Sequence, residues 1–127
     1  KVARCWTLPT PWRGPLAMAN ALMLPHVLDY NALATPLKTI EVARALGEPI
    51  EILAAAGTTE YDLALRAGEA VRKLEREIGI PARLQDLGVD KASIPDMAQD
   101  AMKSANIAIN PRKTTINEII GLYERAY

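Results

Sequence analysis

A single histidine, His26, lies in the most apolar stretch of the chain, and Asp29 follows it one helical turn later. An imidazole and a carboxylate at that spacing can meet on one side of a helix and, with further donors, hold a divalent metal. Two ligands do not hold a transition metal alone, so an aspartate closing a helix is the plainer reading of Asp29. His26 is no better placed as a general base: no Ser, Thr or Cys lies within one turn of it, which leaves it no nucleophile to activate. Its plainer reading is a partly buried ring whose nitrogens meet carbonyls opened by a kink at Pro25.

Three other groupings bear on chemistry. Gly57-Thr58-Thr59 is the nearest approach to a phosphate cradle, but it offers one glycine after an alanine run, where cradles place several between a strand and a helix. It reads as an inter-helix turn. Asn110-Pro111-Arg112-Lys113 sets two cations just before a helix start and can draw an anion there, although such clusters are commonly solvated surface. Trp6 and Trp12 with Met18 and Met23 offer an apolar pocket for a small molecule, or simply core.

These residues need helices to position them. Lys1 to Pro15 carries three prolines, a glycine and two tryptophans without periodicity, so residues 1–15 read as irregular. From Leu16 the run LAMANALMLPHVLDYNAL is rich in helix formers, with a bend or break expected at Pro25. Thr35-Pro36 is a helix start that supplies a capping hydroxyl, and Leu37 to Leu46 follows, stopped by Gly47. A further turn spans Ile50 to Ala55. Thr58 or Thr59 opens the longest helix, which runs to Ile78 and ends at Gly79.

Along that helix Ala64, Ala67, Val71, Leu74 and Ile78 form an apolar stripe. Asp62, Arg66, Glu69, Arg72, Lys73, Glu75, Arg76 and Glu77 form a water-facing surface, with Asp62/Arg66 and Glu69/Lys73 as i,i+4 pairs. A short turn covers Ala82 to Leu87 before Gly88. Ser93-Ile94-Pro95-Asp96 has the form of a capping box opening a helix to about Ala105, and Ala105 to Lys113 is a loop. Thr115-Ile116-Asn117-Glu118 is a cleaner box, and Ile116, Ile119, Ile120, Tyr123 and Ala126 stripe the last helix. No segment reads as a strand, so the fold expected is all-α, an array of five to seven helices with residues 16–127 as one helical domain.

The 127 residues fit one ordinary domain with a sizeable core. Lys plus Arg number 15 and Asp plus Glu number 15, and this balance argues against a nucleic-acid partner recognised through general basicity. Cys5 is the only cysteine, which excludes an internal disulfide and fits a reducing, cytoplasmic compartment. The most apolar stretch, Leu16 to Tyr30, includes Asn20, Pro25, His26 and Asp29 and as a helix would span only about 23 Å. No membrane partner is expected.

AMANALMLPHVLDYNA (17–32), VARALG (42–47), REIGIPARLQDLGV (76–89), IPDMAQDAM (94–102) and NPRKTTINEIIGLYERAY (110–127) together resemble the C-terminal helical part of the iron-containing (group III) alcohol dehydrogenases. The blocks stand in the family's order and cover about nine-tenths of the chain. The resemblance implies the dehydroquinate synthase-like fold and a two-domain enzyme. In it an N-terminal α/β domain binds NAD or NADP, and a helical domain holds iron or zinc that polarises the alcohol oxygen. The dinucleotide domain is not in this sequence, and two of the family's ligands, an Asp and a His, would fall before Lys1. Aligned through MANALMLPHV, the family's two later ligand histidines fall at Val2 and Leu16, neither of which binds a metal. His26 matches a position that is often histidine in the family but is not a ligand.

No catalytic, cofactor-binding or metal residue is therefore carried over, and no cofactor is expected in this chain. Losing either the nicotinamide or the Lewis acid removes several kcal/mol of transition-state stabilisation. The expectation is a truncated helical-domain relative, non-catalytic alone. Its rivals are an activity completed by a separate cofactor-domain chain and a self-associating module, a homo-oligomer joined through exposed apolar helix faces.

Overall fold

The structure is a computed structural model and describes residues 16–127; Cys5, Trp6, Trp12, Val2 and the irregular segment expected over 1–15 lie outside them. The described residues form seven α-helices and two short 3-10 turns. Helix α1 is Leu16–Ala32, α2 Pro36–Ala45, α3 Ile50–Ala55, α4 Glu60–Ile78, α5 Ile94–Met102, α6 Ala105–Ile109 and α7 Ile116–Ala126. The 3-10 turns, Leu84–Leu87 and Lys91–Ser93, lie between α4 and α5. No strand occurs among the described residues, in agreement with the all-α expectation.

Local signals explain most of these boundaries. Thr59 accepts a hydrogen bond from the Asp62 amide to open α4, and Gly79 closes it at φ 78°, a conformation that a Cβ would strain. Thr115 and Glu118 form the reciprocal capping box of α7. Pro36 occupies the first turn of α2, where its missing amide costs nothing.

Other local expectations are corrected. Of the bend or break expected at Pro25 the break does not occur, since α1 continues through Pro25 to Ala32. Thr35 makes no capping bond to α2, because its hydroxyl donates instead to the Asn31 carbonyl at the end of α1 (3.3 Å). Ser93 likewise makes no cap; Asp90, three residues earlier, accepts from the Ala92 amide and opens the 3-10 turn that leads into α5. Helix α5 ends at Met102, and the supposed loop after it contains α6, capped by Ser104.

Two apolar clusters hold the helices. One joins α1 to α5 and α7 through Leu22, Met23, Tyr30, Met97, Ile119, Leu122 and Tyr123, with Leu84 and Val89 from the connecting turns. The other joins the end of α1 to α2, α3 and α4 through Ala32, Ile40, Ala43, Ile50, Leu63, Ala64 and Ala67. Met23, one of the residues offered as a pocket wall, is therefore core. Small residues along α4 let it pack closely on both α1 and α2. Helix α1 thus serves both clusters and carries His26 and Asp29 between them.

Over the last two turns of α4, Lys73, Arg76 and Glu77 are exposed as expected, but the two faces do not divide as the periodicity has them. Glu75 is buried at 8% exposure, whereas Leu74 and Ile78 are 45% and 64% exposed. The expected i,i+4 pairs do not form either. Asp62 turns back to Thr59, Arg66 reaches Glu48 at 2.7 Å, and Glu69 pairs with Arg72 at 3.2 Å. A capped N-terminus and a tertiary partner both outcompete the exposed pair.

Candidate functional site

Arg72 on α4 crosses to α1 and donates to Asp29 Oδ2 at 2.5 Å, with both side chains about a quarter exposed. The pair decides what Asp29 does: it neither closes its own helix nor joins His26 as a ligand. The other oxygen, Asp29 Oδ1, is buried without a hydrogen-bond partner and lies against Gly68. A Cβ on Gly68 would stand 2.1 Å from Asp29 Oδ1 and 2.9 Å from its Cγ. Intrinsic propensity favours alanine over glycine in a helix by about 1 kcal/mol, but here the methyl must push Asp29 away from Arg72. Gly68→Ala is expected to lower stability by about 1–2 kcal/mol, read as a lower urea midpoint. The same change in an Asp29→Ala background is expected to regain the propensity benefit.

The loop before α7 is fastened to the end of α1, so the reading of this cluster as solvated surface holds for Pro111 and Lys113, which are exposed, and is corrected for Asn110 and Arg112. Asn31 and Asn110 exchange amide bonds of 3.0 and 2.9 Å. The Tyr30 hydroxyl donates to the Lys113 carbonyl at 3.2 Å and lies 3.3 Å from Thr114 Oγ1. Arg112 stacks on the Tyr30 ring, 4.0 Å from its centroid, while donating to the Tyr30 carbonyl at 3.0 Å and to Glu118 at 3.2 Å. A planar guanidinium can stack and donate along its edge at the same time. Together these contacts place Arg112 beside α1 and not out in solvent.

An open cleft of about 550 Å³ results. Helix α1 contributes His26, Asp29 and Tyr30 to its walls, and α4 contributes Tyr61, Leu65 and Arg72. Arg112 comes from the loop, Arg125 from the last turn of α7, and Leu33 stands at the end of α1. A smaller cavity of about 130 Å³ lies on the other side of His26 and Arg72, bounded by Leu22, Pro25, Glu75, Arg76, Ile80 and Ala82. Burial holds the His26 pKa below its ordinary value, and the charge of Arg72 pushes the same way; Asp29 opposes this, and Arg125 adds to it. His26 is therefore neutral near pH 7. Its ring nitrogens take no hydrogen bond among the described residues, so the carbonyl partners expected at Pro25 are not found.

These residues do not fit a catalytic metal. Among the described residues no group of three or more His, Cys, Asp or Glu is placed to hold an ion, and His26 has two guanidiniums beside it that repel a cation. Nor do they fit a dinucleotide cradle, since Gly57 (φ 88°) follows the end of α3 and Thr59 caps α4. The turn reading of Gly57-Thr58-Thr59 is the one the geometry gives. Sequence reasoning missed Arg72, Arg125 and Glu75; the one available signal was Gly68, an unexplained glycine inside an otherwise strong helix.

Comparison with known proteins matches this architecture. The chain is 41% identical over 113 residues to 1,3-propanediol dehydrogenase of Klebsiella pneumoniae, covering 89% of this chain and 28% of that protein. It is 40% identical over 113 residues to lactaldehyde reductase of Escherichia coli (strain K12), with the same coverage of 89% and 28%. A crystal structure of 1,3-propanediol oxidoreductase superposes with a TM-score of 0.84 at 38% identity, over 92% of this chain and 29% of the other. The alcohol dehydrogenase from Oenococcus oeni gives a TM-score of 0.84 at 31% identity, over 93% and 30%. The chain thus spans between a quarter and a third of the length of these relatives. The profile of the Fe-containing alcohol dehydrogenase family, C-terminal part, matches residues 4–127, and the chain belongs to that family.

Proposed function

We propose that this chain serves as the helical lobe of an NAD(P)-dependent alcohol dehydrogenase, residues 16–127 acting as one unit, and that alone it transfers no hydride. One observation carries the reading. Within the segment that the family profile matches, Leu16 stands after Pro15 where the resemblance implies a ligand histidine; Val2, ahead of that segment, falls where the resemblance implies another. A hydrocarbon side chain supplies neither a lone pair nor a charge to a metal.

The test is direct. Purified chain supplied with Fe(II) or Zn(II), NAD and 1,3-propanediol is expected to show no NADH formation above buffer and no tightly held ion by calorimetry. Steady turnover, or one ion held at micromolar affinity or better, overturns the proposal.

A second reading concerns assembly. Leu33 and Leu37, 60% and 66% exposed, flank the link between α1 and α2, and Ile52, Ile78 and Ile109 are 72%, 64% and 78% exposed. Such faces favour a homo-oligomer or a separate chain that brings the cofactor domain. Light scattering on a sizing column separates these: a self-associating chain runs at a multiple of its 13.8 kDa, and a clean monomer rejects self-association. The lone cysteine supports a cytoplasmic setting. No helix among the described residues is long and apolar enough to cross a membrane.

A further inference from the structure

We propose that the cleft between α1, α4 and the end of α7 is a binding site for a small oxyanion, of the phosphate-monoester or carboxylate class, seated on Arg125 with Arg112 and Arg72 beside it. The reading does not depend on the alcohol dehydrogenase proposal. Three guanidiniums line the cleft against a single carboxylate, Asp29. That carboxylate is already spent on Arg72, and Arg112 is held by Glu118 and the Tyr30 carbonyl. Arg125 makes no ion pair among the described residues. A cluster in which two cations are fixed by partners and a third is left over presents a preorganised positive surface with one open valence.

The geometry suits an anion of modest size. Arg112 cannot swing away, because its plane is pinned on the Tyr30 ring at 4.0 Å while its edge is hydrogen-bonded. The cleft volume, about 550 Å³, accommodates a small ester as well as a bare ion. Tyr61, Leu33 and Leu65 supply aromatic and apolar wall in the same cleft, so a ligand that carries a short organic tail on its anionic head finds a partner for each part. At His26, Arg72 outweighs Asp29 in its effect and Arg125 adds to it, which is the signature of a net positive potential inside the cleft.

His26 is the only histidine in the chain, so its C2 proton gives one resolved NMR signal within the proposed site. Titrating the pure protein with inorganic phosphate is expected to raise the His26 midpoint saturably, by about half a pH unit at saturation, because a bound anion favours the imidazolium. Phenyl phosphate and acetate serve as the ester and carboxylate arms, and whichever acts at lower concentration identifies the head group the site prefers. Arg125→Gln is expected to weaken phosphate binding about tenfold, and Arg125→Lys to weaken it less. Leu33→Glu, at a 60% exposed position on the rim, should also weaken it by repulsion, which keeps a test available should an arginine variant fold poorly. The proposal is overturned if sodium chloride at matched ionic strength moves His26 as far as phosphate does, or if neither Arg125→Gln nor Leu33→Glu alters the phosphate response.

Discussion

Replacing Tyr30 with alanine is expected to remove about 3–5 kcal/mol of stability, a large share of the 5–15 kcal/mol that typically holds a domain folded. The side chain is 5% exposed and contributes in three separate ways. Its ring fills the cluster shared by α1, α5 and α7. The same ring is the platform for Arg112 at 4.0 Å, and its hydroxyl secures the loop at Lys113 and Thr114. Tyr30→Phe keeps the first two and is expected to lose about 1 kcal/mol. Arg112→Lys keeps a charge but not the planar fork, and it should fall between the two, at about 1–2 kcal/mol. Urea unfolding followed by far-UV circular dichroism measures all three. A Tyr30→Ala variant within 1 kcal/mol of the parent would show that the loop is held elsewhere, with Asn31 and Asn110 the remaining fasteners.

The contrast between Tyr30 and the helix ends marks what a single sequence can disclose. Thr59, Gly79, Thr115 and Glu118 act on amides and carbonyls within a few residues of themselves, so the limits of α4 and the start of α7 were legible from local chemistry. Where two local options compete, neighbours decide. Ser93 stands at the start of α5 but makes no cap there, because a 3-10 turn that Asp90 opens runs directly into the helix. The stripe on α4 shows a second limit. Periodicity names a face, but a face is buried only where another element lies on it. Over the last turns the wall of the small cavity is built by α1 and the Ile80–Ala82 segment on the Glu75 side, which leaves Leu74 and Ile78 outside. The cleft was least legible of all, because Asp29 and Arg72 are 43 positions apart and Tyr30 and Arg112 are 82 apart. His26 and Arg112 stood out singly; nothing local said that they share a wall.

Glu75 makes the stability of this fold depend on pH in a direction opposite to that of most carboxylates. Burial against α1 and the small cavity raises its pKa from 4.5 to about 7, against the opposing pull of Arg72 and Arg76, and Oε1 has no hydrogen-bond partner. In the unfolded chain the same carboxyl releases its proton near 4.5. Between these two values the folded state binds the proton and the unfolded state does not, so folding takes up a proton and stability falls as pH rises. The contribution is fully present below about pH 4.5 and is lost by about pH 7, above which both states are ionised and the slope vanishes. Linkage sets the loss at about 2–3 kcal/mol, with the upper figure reduced by whatever water the adjoining cavity admits. Glu75→Gln preserves the shape of the protonated side chain and cannot ionise. It is therefore expected to match the parent near pH 4.5, to exceed it by about 2 kcal/mol at pH 8, and to flatten the pH profile of the urea midpoint between them. His26 titrates in the overlapping range and lines the same cavity, but its lowered pKa acts with the opposite sign. The imidazole resists protonation in the folded state, so its contribution is present above its unfolded pKa and is lost as pH falls. A His26→Gln, Glu75→Gln double variant separates the two slopes. Should Glu75→Gln leave the profile of the parent unchanged, the carboxylate must be reaching solvent or a guanidinium when it ionises, and the α1–α4 seam would have to open at that point to let it.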